Sequence, residues 1–248
     1  MKTIKLQQTF FKSSNRAHNF SGSPAFVSSV VERTIPGAIF CVKQSYVIRT
    51  DSGLYFVTGP VEEELYAFLQ RCMTGDGRFT LFVTDTSWQQ RLDAAPLRKI
   101  PRYAYSLDTA VYQALPRLHT AYPIQRIDAK TIMMSTEFPQ VYYEEYWGSV
   151  SQFLAHGSGF CMMDEEQIVG EATAIFQSTT AAEVDIFTHP DYRSKGIAKQ
   201  LAMAFIDHCL AQNITPHWDC DVRNTASIVL AEKIGFTTRK PYAIYVRK

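Results

Sequence analysis

Hydrophobic residues follow two different periods along the first part of the chain. Between Ile35 and Gly59, runs rich in Val, Ile, Tyr and Phe are interrupted by the turn residues Asp51-Ser52-Gly53, which predicts β structure. Val61 to Met73 has apolar residues at helical spacing and glutamates in its first turn, where the helix dipole favours negative charge. A helix is also expected to start at Ser23-Pro24. The pattern up to Leu107 predicts the element order ββαβαβ.

The second part of the chain alternates more regularly between short apolar runs and longer amphipathic segments. The predicted strands are Ile124–Ile127, Phe160–Met163, Ile168–Phe176, Glu183–Thr188, His217–Val222 and two final strands around Phe236 and Tyr242–Val246. The predicted helices are Pro139–Phe153, Gly196–Gln212 and Thr225–Ile234. This order predicts an α/β protein with a mixed sheet covered by helices. With Asp108–Tyr122 as the connection, we expect a smaller N-terminal α/β domain over residues 1–118 and a second domain over 119–248.

Composition and charge narrow the class of protein. The 248 residues carry 25 Lys and Arg against 24 Asp and Glu, so no overall charge draws the chain to nucleic acid or to an anionic membrane. No apolar run approaches the ~18 residues of a membrane span, and the start MKTIKLQQTF lacks the apolar centre of a secretory signal. The cysteines are odd in number and form no CxxC pair, which favours a reducing compartment, here the cytoplasm. His208, His217 and Cys220 match no zinc spacing, so we expect no structural metal.

The stretch EVDIFTHPDYRSKGIAKQLAMAFIDHCLAQ carries the clearest chemical signal. A strand leads into Arg193-Ser194-Lys195-Gly196, and a helix with one apolar stripe follows immediately. The first turn of that helix leaves backbone N–H groups unpaired, and Gly196 has no side chain to keep an anion away from them. The arrangement predicts an anion site, most simply for a pyrophosphate, although such a basic loop can also be only a solvated turn. A P-loop and a GxGxxG turn after a strand are both absent from the sequence.

The wider context of this loop resembles the GNAT superfamily of N-acetyltransferases. The order strand, Arg-x-x-Gly-x-Ala, helix, strand is followed by Asn224, which opens a helix ending in Glu-Lys-Ile-Gly-Phe. The resemblance covers residues 122–248, and the closing WDCDVRNTASIVLAEKIGF and the two-part length are similar to the zwittermicin-resistance-like branch. It implies a GNAT-like fold for the C-terminal domain. The N-terminal half is expected to wall the acceptor cleft, and its element order permits a degenerate copy of the same fold.

The resemblance also implies roles for individual residues. In the family, the loop binds the pyrophosphate of acetyl-CoA through backbone amides, and the strand before it hydrogen-bonds the pantetheine arm. The cofactor-binding residues implied here are Ile186, Phe187, Thr188, Arg193, Ser194, Lys195, Gly196, Ile197, Ala198 and Asn224. Asn224 is also a good N-cap residue, and Gly235 is expected to close the helix that Asn224 opens.

Transfer of an acyl group to an amine needs a group that removes a proton. Glu183 and Asp185 lie two residues apart and therefore share one face of a strand. GNAT enzymes often carry a carboxylate near the start of this strand, and of the two candidates Glu183 is favoured over Asp185. His189 is another candidate base, and Asp219 and Asp221 could hold a cationic acceptor or merely face solvent.

The expected activity is direct transfer of an acetyl group from acetyl-CoA to a primary amine of a small molecule. No cysteine lies in a recognisable nucleophile setting, which argues against an acyl-enzyme route. Many GNAT enzymes carry a tyrosine as general acid where this chain has Ala231. That departure keeps a non-catalytic acyl-CoA-binding or regulatory module open, and transfer of a longer acyl group is a second alternative. No nucleic acid or membrane partner is expected.

Overall fold

The structure, a computed structural model, describes residue 20 and residues 22–117 and 122–248. The chain divides into two compact units, one formed by Met1–Arg102 and Pro241–Lys248 and the other by Tyr103–Lys240. The domain boundary expected at residues 118 and 119 lies outside the described residues, as does the start of the chain that was tested for a secretory signal. The roles assigned to the two domains stay predictions.

The described chain contains both helices and strands in each of the two units. In order they are α1 (Ala25–Glu32), β1 (Gly37–Val42), β2 (Ser45–Thr50), β3 (Leu54–Thr58), α2 (Glu63–Thr74), β4 (Thr80–Val83), α3 (Thr86–Asp93), β5 (Leu97–Leu107), α4 (Thr109–Gln113), β6 (Ile124–Arg126), α5 (Ala129–Met134), α6 (Gln140–Trp147), α7 (Val150–His156), β7 (Gly159–Asp164), β8 (Gln167–Gln177), β9 (Ala181–Thr188), α8 (Ile197–Ala211), β10 (Thr215–Asp221), α9 (Thr225–Lys233) and β11 (Phe236–Arg247). The predicted mixed α/β class is confirmed. No helix in the described ranges has the length and apolar character that crossing a membrane requires.

The first unit is built on strands β1, β2, β3 and β4 and the last part of β11. Antiparallel pairs join β1 to β2, β2 to β3 and β4 to β11, whereas β3 and β4 run parallel. The helix α2 connects the two parallel strands, as a parallel connection requires. Buried side chains of this helix pack on the sheet together with Trp88 of α3, including Leu65 and Leu69.

The second unit has a similar order of pairings, with one more antiparallel pair before the parallel pair. Antiparallel pairs join β6 to β7, β7 to β8 and β8 to β9, and β9 then runs parallel to β10. The helix α8 connects the two parallel strands, and its apolar side packs with Trp218 and Cys220 of β10 through Ala202, Met203 and Ile206. The strands β5 and β11 each cross from one unit to the other along the chain.

Five local predictions need correction. Three strands rather than two precede α2, because the chain turns at Lys43, whose φ is 52°. The helix expected from Pro139 to Phe153 is two helices, broken at Gly148 with φ 80°. The connection after Asp108 contains α4, and the two expected final strands are one strand, β11. The helix α1 begins one residue later than expected, with Pro24 at the N-cap and no side-chain cap.

Two helices that sequence reasoning missed carry recognisable N-terminal signals. The Asp128 carboxylate accepts a hydrogen bond from the Thr131 N–H, and the Thr131 hydroxyl bonds back to the Asp128 N–H, which forms a capping box before α5. The Asp108 carboxylate likewise accepts from the Val111 N–H at the start of α4. Both signals are short-range, so attention to them would have located these helices.

The position of α8 over the sheet depends on a glycine in β8. A Cβ atom at Gly170 would lie 2.6 Å from Cγ2 of Ile197 and 2.9 Å from Cδ1 of Leu201. We expect Gly170→Ala to push α8 outward and to lower the free energy of unfolding by about 1–3 kcal/mol, measured by urea denaturation.

Gly75→Ala is the matched control for this substitution. Its added Cβ would meet no atom closer than 3.5 Å, so its stability should stay within about 0.5 kcal/mol of the parent. Equal stability of both variants would show that the contact between β8 and α8 tolerates an extra methyl group.

Candidate active site

The parallel strands β9 and β10 begin side by side and then separate. Their pairing runs from Ala181 with Thr215 to Glu183 with His217 and goes no further in the described residues. Both strands continue beyond this point, and β9 stays paired with β8 as far as Thr188. The backbone groups of β9 on the β10 side are therefore left without a strand partner after Glu183, which opens a cleft where an extended ligand can bind.

The segment after β9 turns sharply into the N-terminus of α8. Ser194 and Gly196 both have left-handed backbone conformations, with φ 63° and 79°. Gly196 is the N-cap of α8, and a Cβ placed on it would meet only the Gln200 amide nitrogen, at 3.5 Å. The glycine thus permits the backbone conformation and leaves the first N–H groups of α8 accessible to an anion.

The charged and polar side chains beside this loop have defined neighbours. The Arg193 Nε donates to the Thr188 carbonyl at 3.4 Å, and the Lys195 ammonium lies 4.3 Å from the centre of the Tyr192 ring. The Tyr192 hydroxyl donates to Asp164 at 2.7 Å, and that carboxylate raises the pKa of Tyr192 to about 12. The Thr188 hydroxyl is buried without a hydrogen-bond partner in the described part of the chain. A donor of this kind at the end of β9 fits a ligand rich in acceptor oxygens.

The structure brings together most residues that the sequence assigned to cofactor binding. Thr188 ends β9, and Gly196 begins α8. The side chain of Ile197 is buried, so only its backbone can meet a ligand. Asn224 caps α9, its side-chain oxygen accepting from the Ser227 N–H at 3.1 Å, as predicted. Its contact with a cofactor stays a prediction.

The two candidate carboxylates lie on the face of β9 opposite α8. Val184 and Ile186 pack with the apolar cluster beneath α8 and α9, so the alternation of the strand directs Glu183 and Asp185 to the other face. The Asp185 carboxylate accepts a hydrogen bond from the Tyr142 hydroxyl of α6 at 3.1 Å. Burial, together with this carboxylate, holds the pKa of Tyr142 well above its ordinary value.

The other candidates from the sequence have structural partners. His189 caps the short 3₁₀ helix Pro190–Tyr192 and accepts from the Asp191 N–H at 3.4 Å. Asp221 forms two hydrogen bonds with the Arg223 guanidinium, at 3.0 and 2.9 Å. Ala231 is buried in the apolar cluster with Trp218. No group of three or more His, Cys, Asp or Glu side chains in the described ranges is arranged to hold a metal ion.

Sequence reasoning missed a buried acid in β8. Glu171 is 2% exposed and pairs across the sheet with Phe187. Its Oε2 accepts from the Ser135 hydroxyl at 2.7 Å, while Oε1 has no hydrogen-bond partner in the described residues. Burial raises the pKa of Glu171 to about 7. The signal available in the sequence was a glutamate in an otherwise apolar strand, between Gly170 and Ala172.

Sequence reasoning also missed His217 as a candidate site residue. It is half-buried in β10, opposite Glu183 in the last paired position before the strands separate. Burial lowers the pKa of His217 below its ordinary value, so its imidazole is neutral at pH 7. Because its significance depends on which residue faces it across the sheet, no motif in the sequence could have identified it.

The site has the two features that the GNAT resemblance implied, because the free edge of β9 can hydrogen-bond an extended ligand and the turn after it leads into a helix N-terminus. A family model described as GNAT acetyltransferase matches residues 17–245. The chain therefore belongs to the GNAT acetyltransferase family, and it is an enzyme of the acyltransferase class. The expected resemblance to this family is confirmed.

Individual relatives support the same assignment. The chain is 37% identical over 234 residues to the uncharacterized N-acetyltransferase YdfB of Bacillus subtilis (strain 168), with 90% of each chain covered. The fold is similar to that of a GCN5-related N-acetyltransferase-like protein from Streptococcus suis 89/1591, with TM-score 0.69, 23% identity, and 94% of this chain and 96% of that chain covered. It is also similar to an acetyltransferase from the GNAT family from Colwellia psychrerythraea, with TM-score 0.55, 14% identity, and 92% and 91% covered.

The raised pKa of Glu171 makes the stability of the protein depend on pH. Between the ordinary pKa of 4.5 and the value of about 7 in the fold, the folded chain holds a proton that the unfolded chain releases. This contribution to stability is complete below pH 4.5 and is lost as the pH rises through about 7. The free energy of unfolding of the parent should decrease between pH 5 and pH 8. In Glu171→Gln this decrease should be smaller by about 2–3 kcal/mol, measured by urea denaturation across that range.

The exposed turn residue Glu166 provides the control, because Glu166→Gln should leave the parent's pH dependence unchanged. If the parent and Glu171→Gln lose stability equally with pH, the Glu171 carboxyl is ionised in the folded protein.

Proposed function

We propose that this enzyme transfers an acetyl group from acetyl-CoA to a primary amine of a small molecule. The observation that carries the proposal is the separation of β9 from β10 directly before the left-handed turn at Ser194 and Gly196. This combination provides an extended backbone edge followed by an anion-binding helix N-terminus, which is what a pantetheine arm ending in a pyrophosphate requires.

The donor's two parts would be recognised by different groups. The backbone of Ile186, Phe187 and Thr188 is free of β10 and is proposed to hydrogen-bond the pantetheine arm. The N–H groups from Ser194 to Ala198 are proposed to bind the pyrophosphate, with Arg193 contributing positive charge at the exposed rim. Asn224 is proposed to contact the cofactor while it caps α9.

Direct transfer without an acyl-enzyme is supported by the state of the cysteines. Cys161, Cys209 and Cys220, the cysteines of the second unit, are buried. Burial raises the pKa of the Cys161 thiol to about 11 and that of Cys209 to about 12. A thiol in this state is a poor nucleophile, because the thiolate is the reactive form.

The first unit is proposed to be a degenerate copy of the GNAT-like fold that binds no donor. Its parallel strands β3 and β4 stay paired as far as Val57 and Val83, so no cleft opens between them. The first turn of α2 is acidic, with the Glu63 carboxylate paired to Arg91 at 2.9 Å. The Trp88 indole donates to the carbonyl of Gly59, in the turn between β3 and α2, at 2.7 Å. One acetyl-CoA per chain is therefore expected.

Proton removal from the acceptor is proposed to involve Glu183 rather than Asp185. Both lie on the face of β9 away from α8, and Asp185 accepts a hydrogen bond from Tyr142 of α6. Glu183 lies at the point where β9 and β10 separate. An amine that attacks there would have a carboxylate beside it.

A screen of an amine library with acetyl-CoA, read by mass shift, tests the activity and identifies the acceptor together. Release of CoA thiol that depends on one primary amine is the expected result. Binding of acetyl-CoA without transfer to any amine would favour a non-catalytic acyl-CoA-binding or regulatory module. Faster turnover with a longer acyl-CoA would redefine the donor. The relation to the zwittermicin-resistance-like branch stays a prediction.

Gly196→Val tests the donor site. The branched side chain would obstruct the N-terminus of α8, so we expect acetyl-CoA affinity to fall at least tenfold, about 1.4 kcal/mol, measured by calorimetry. Gly77→Val is the matched control, because Gly77 has a similar φ of 81° and equally open surroundings in the first unit. Equal acetyl-CoA affinity in the two variants would overturn the assignment of the loop. If Gly196→Val still bound one acetyl-CoA per chain with the affinity of the parent, the first unit would be the binding site.

Glu183→Gln tests the acceptor side. The substitution keeps the shape of the side chain, so acetyl-CoA affinity should change less than threefold while kcat falls by roughly 10²–10⁴. Asp185→Asn is the comparison, measured under the same conditions with the same amine. A large loss in Asp185→Asn, with Glu183→Gln within threefold of the parent, would assign proton removal to Asp185.

A further inference from the structure

We propose that His217 is a catalytic residue that takes the proton of the attacking amine, with Glu183 beside it stabilising the imidazolium. The inference rests on the proposed function and concerns the acceptor side of the same site. His217 and Glu183 form the last pair between β9 and β10. Neighbouring strands lie about 4.8 Å apart, so the two side chains leave the sheet next to each other.

The imidazole lies on the acceptor side of the sheet. Trp218 and Cys220 belong to the apolar cluster beneath α8 and α9, so the alternation of β10 directs His217 and Asp219 to the opposite face. This is the face on which Asp185 meets Tyr142 of α6. The cleft between the separating strands begins at the same position, and a donor thioester at the closed end of the cleft would lie beside His217.

The charged and titratable groups on this face favour a proton acceptor at His217. Glu183 and Asp185 on β9, Asp219 on β10 and Glu171 on β8 lie on this face, and α6 contributes the hydroxyls of Tyr142 and Tyr143. The helices α8 and α9 pack on the other face. Negative charge beside an imidazole stabilises its protonated form, while burial keeps the free imidazole neutral and ready to accept a proton at pH 7.

His217 is also available for this role, whereas the other candidates have structural partners. No hydrogen bond or ion pair to its imidazole is present in the described part of the chain. By contrast, Asp185 is bonded to Tyr142, Asp221 is bonded to Arg223, and His189 accepts from a backbone N–H. A half-buried imidazole without a partner, on the face of the sheet where Glu183 also lies, can accept a proton as a general base.

With His217 as the base, every bond and proton of the acetyl transfer is accounted for. The amine nitrogen uses its lone pair to form the new N–C bond, and the C–S bond breaks with its electron pair leaving on the sulfur of CoA. The proton lost by the nitrogen passes to the imidazole, and Glu183 compensates the new positive charge. The imidazolium then returns its proton to solvent, and the CoA thiolate takes one from solvent. These steps need no general acid at the position of Ala231.

The experiment compares the full chain with His217→Gln, Glu183→Gln and His217→Ala, using acetyl-CoA and the amine that gives the highest turnover in the library screen. We expect His217→Gln to lower kcat/KM for the amine 10²–10³-fold while acetyl-CoA affinity stays within threefold. In the parent, kcat at saturating amine, which does not follow protonation of the free amine, should fall at acidic pH as His217 becomes protonated. This fall should be absent in His217→Gln and should shift to lower pH in Glu183→Gln, because the loss of a neighbouring negative charge lowers the pKa of an imidazole.

Chemical rescue separates a catalytic role from a structural one. Added imidazole should raise the activity of His217→Ala at least tenfold, since a free base can occupy the vacated space. His208→Gln is the matched control, because His208 is also half-buried with a pKa lowered by burial but packs beside Phe160. Its kcat/KM should match the parent, and imidazole should not affect it.

The outcomes that would overturn the inference are distinct from failure of the proposed function. Activity of His217→Gln within threefold of the parent, or an unchanged acidic fall in its pH profile, would remove His217 from the reaction. Loss of that fall in Glu183→Gln alone would make Glu183 the base. If the parent transfers an acetyl group to no amine, the proposed function fails before His217 is tested.

Discussion

Two parallel strands that stop pairing leave backbone N–H and C=O groups that must find other partners, and this requirement organises the second unit. After Glu183 and His217, β10 no longer pairs with β9 in the described residues, although β9 continues to Thr188. The cost of leaving such groups unpaired makes a ligand with its own donors and acceptors a suitable third strand. The helix that follows begins where this edge ends, so the anion site and the extended edge form one continuous surface.

The alternation of side chains along the separated strands assigns different chemistry to the two faces. Val184, Ile186 and Trp218 face α8 and α9 and stabilise the position of the helix that offers its N-terminus. Glu183 and His217 face the other way, where the chemistry of an acceptor amine would take place. Local packing on one face therefore holds the reactive groups of the other face in position.

The two units share one feature of their strand arrangement and differ in its details. In each, two parallel strands are connected by a helix, α2 in the first unit and α8 in the second. The first unit keeps its parallel strands paired as far as Val57 and Val83, and the first turn of α2 carries glutamates. Negative side chains at a helix N-terminus stabilise that helix end. In the second unit the parallel strands separate, and no acidic residue lies in the first turn of α8.

The sequence alone determined the features that depend on neighbours within a few residues. The start of α8 directly after Gly196 and the cap at Asn224 follow from local chemistry, and both were predicted. Only the tertiary structure decided where β9 leaves β10, that Asp185 meets Tyr142, and that Glu171 is buried with one unpaired oxygen. These features join residues that are far apart in the chain. Their energies arise from burial and from strand register, which a local pattern does not contain.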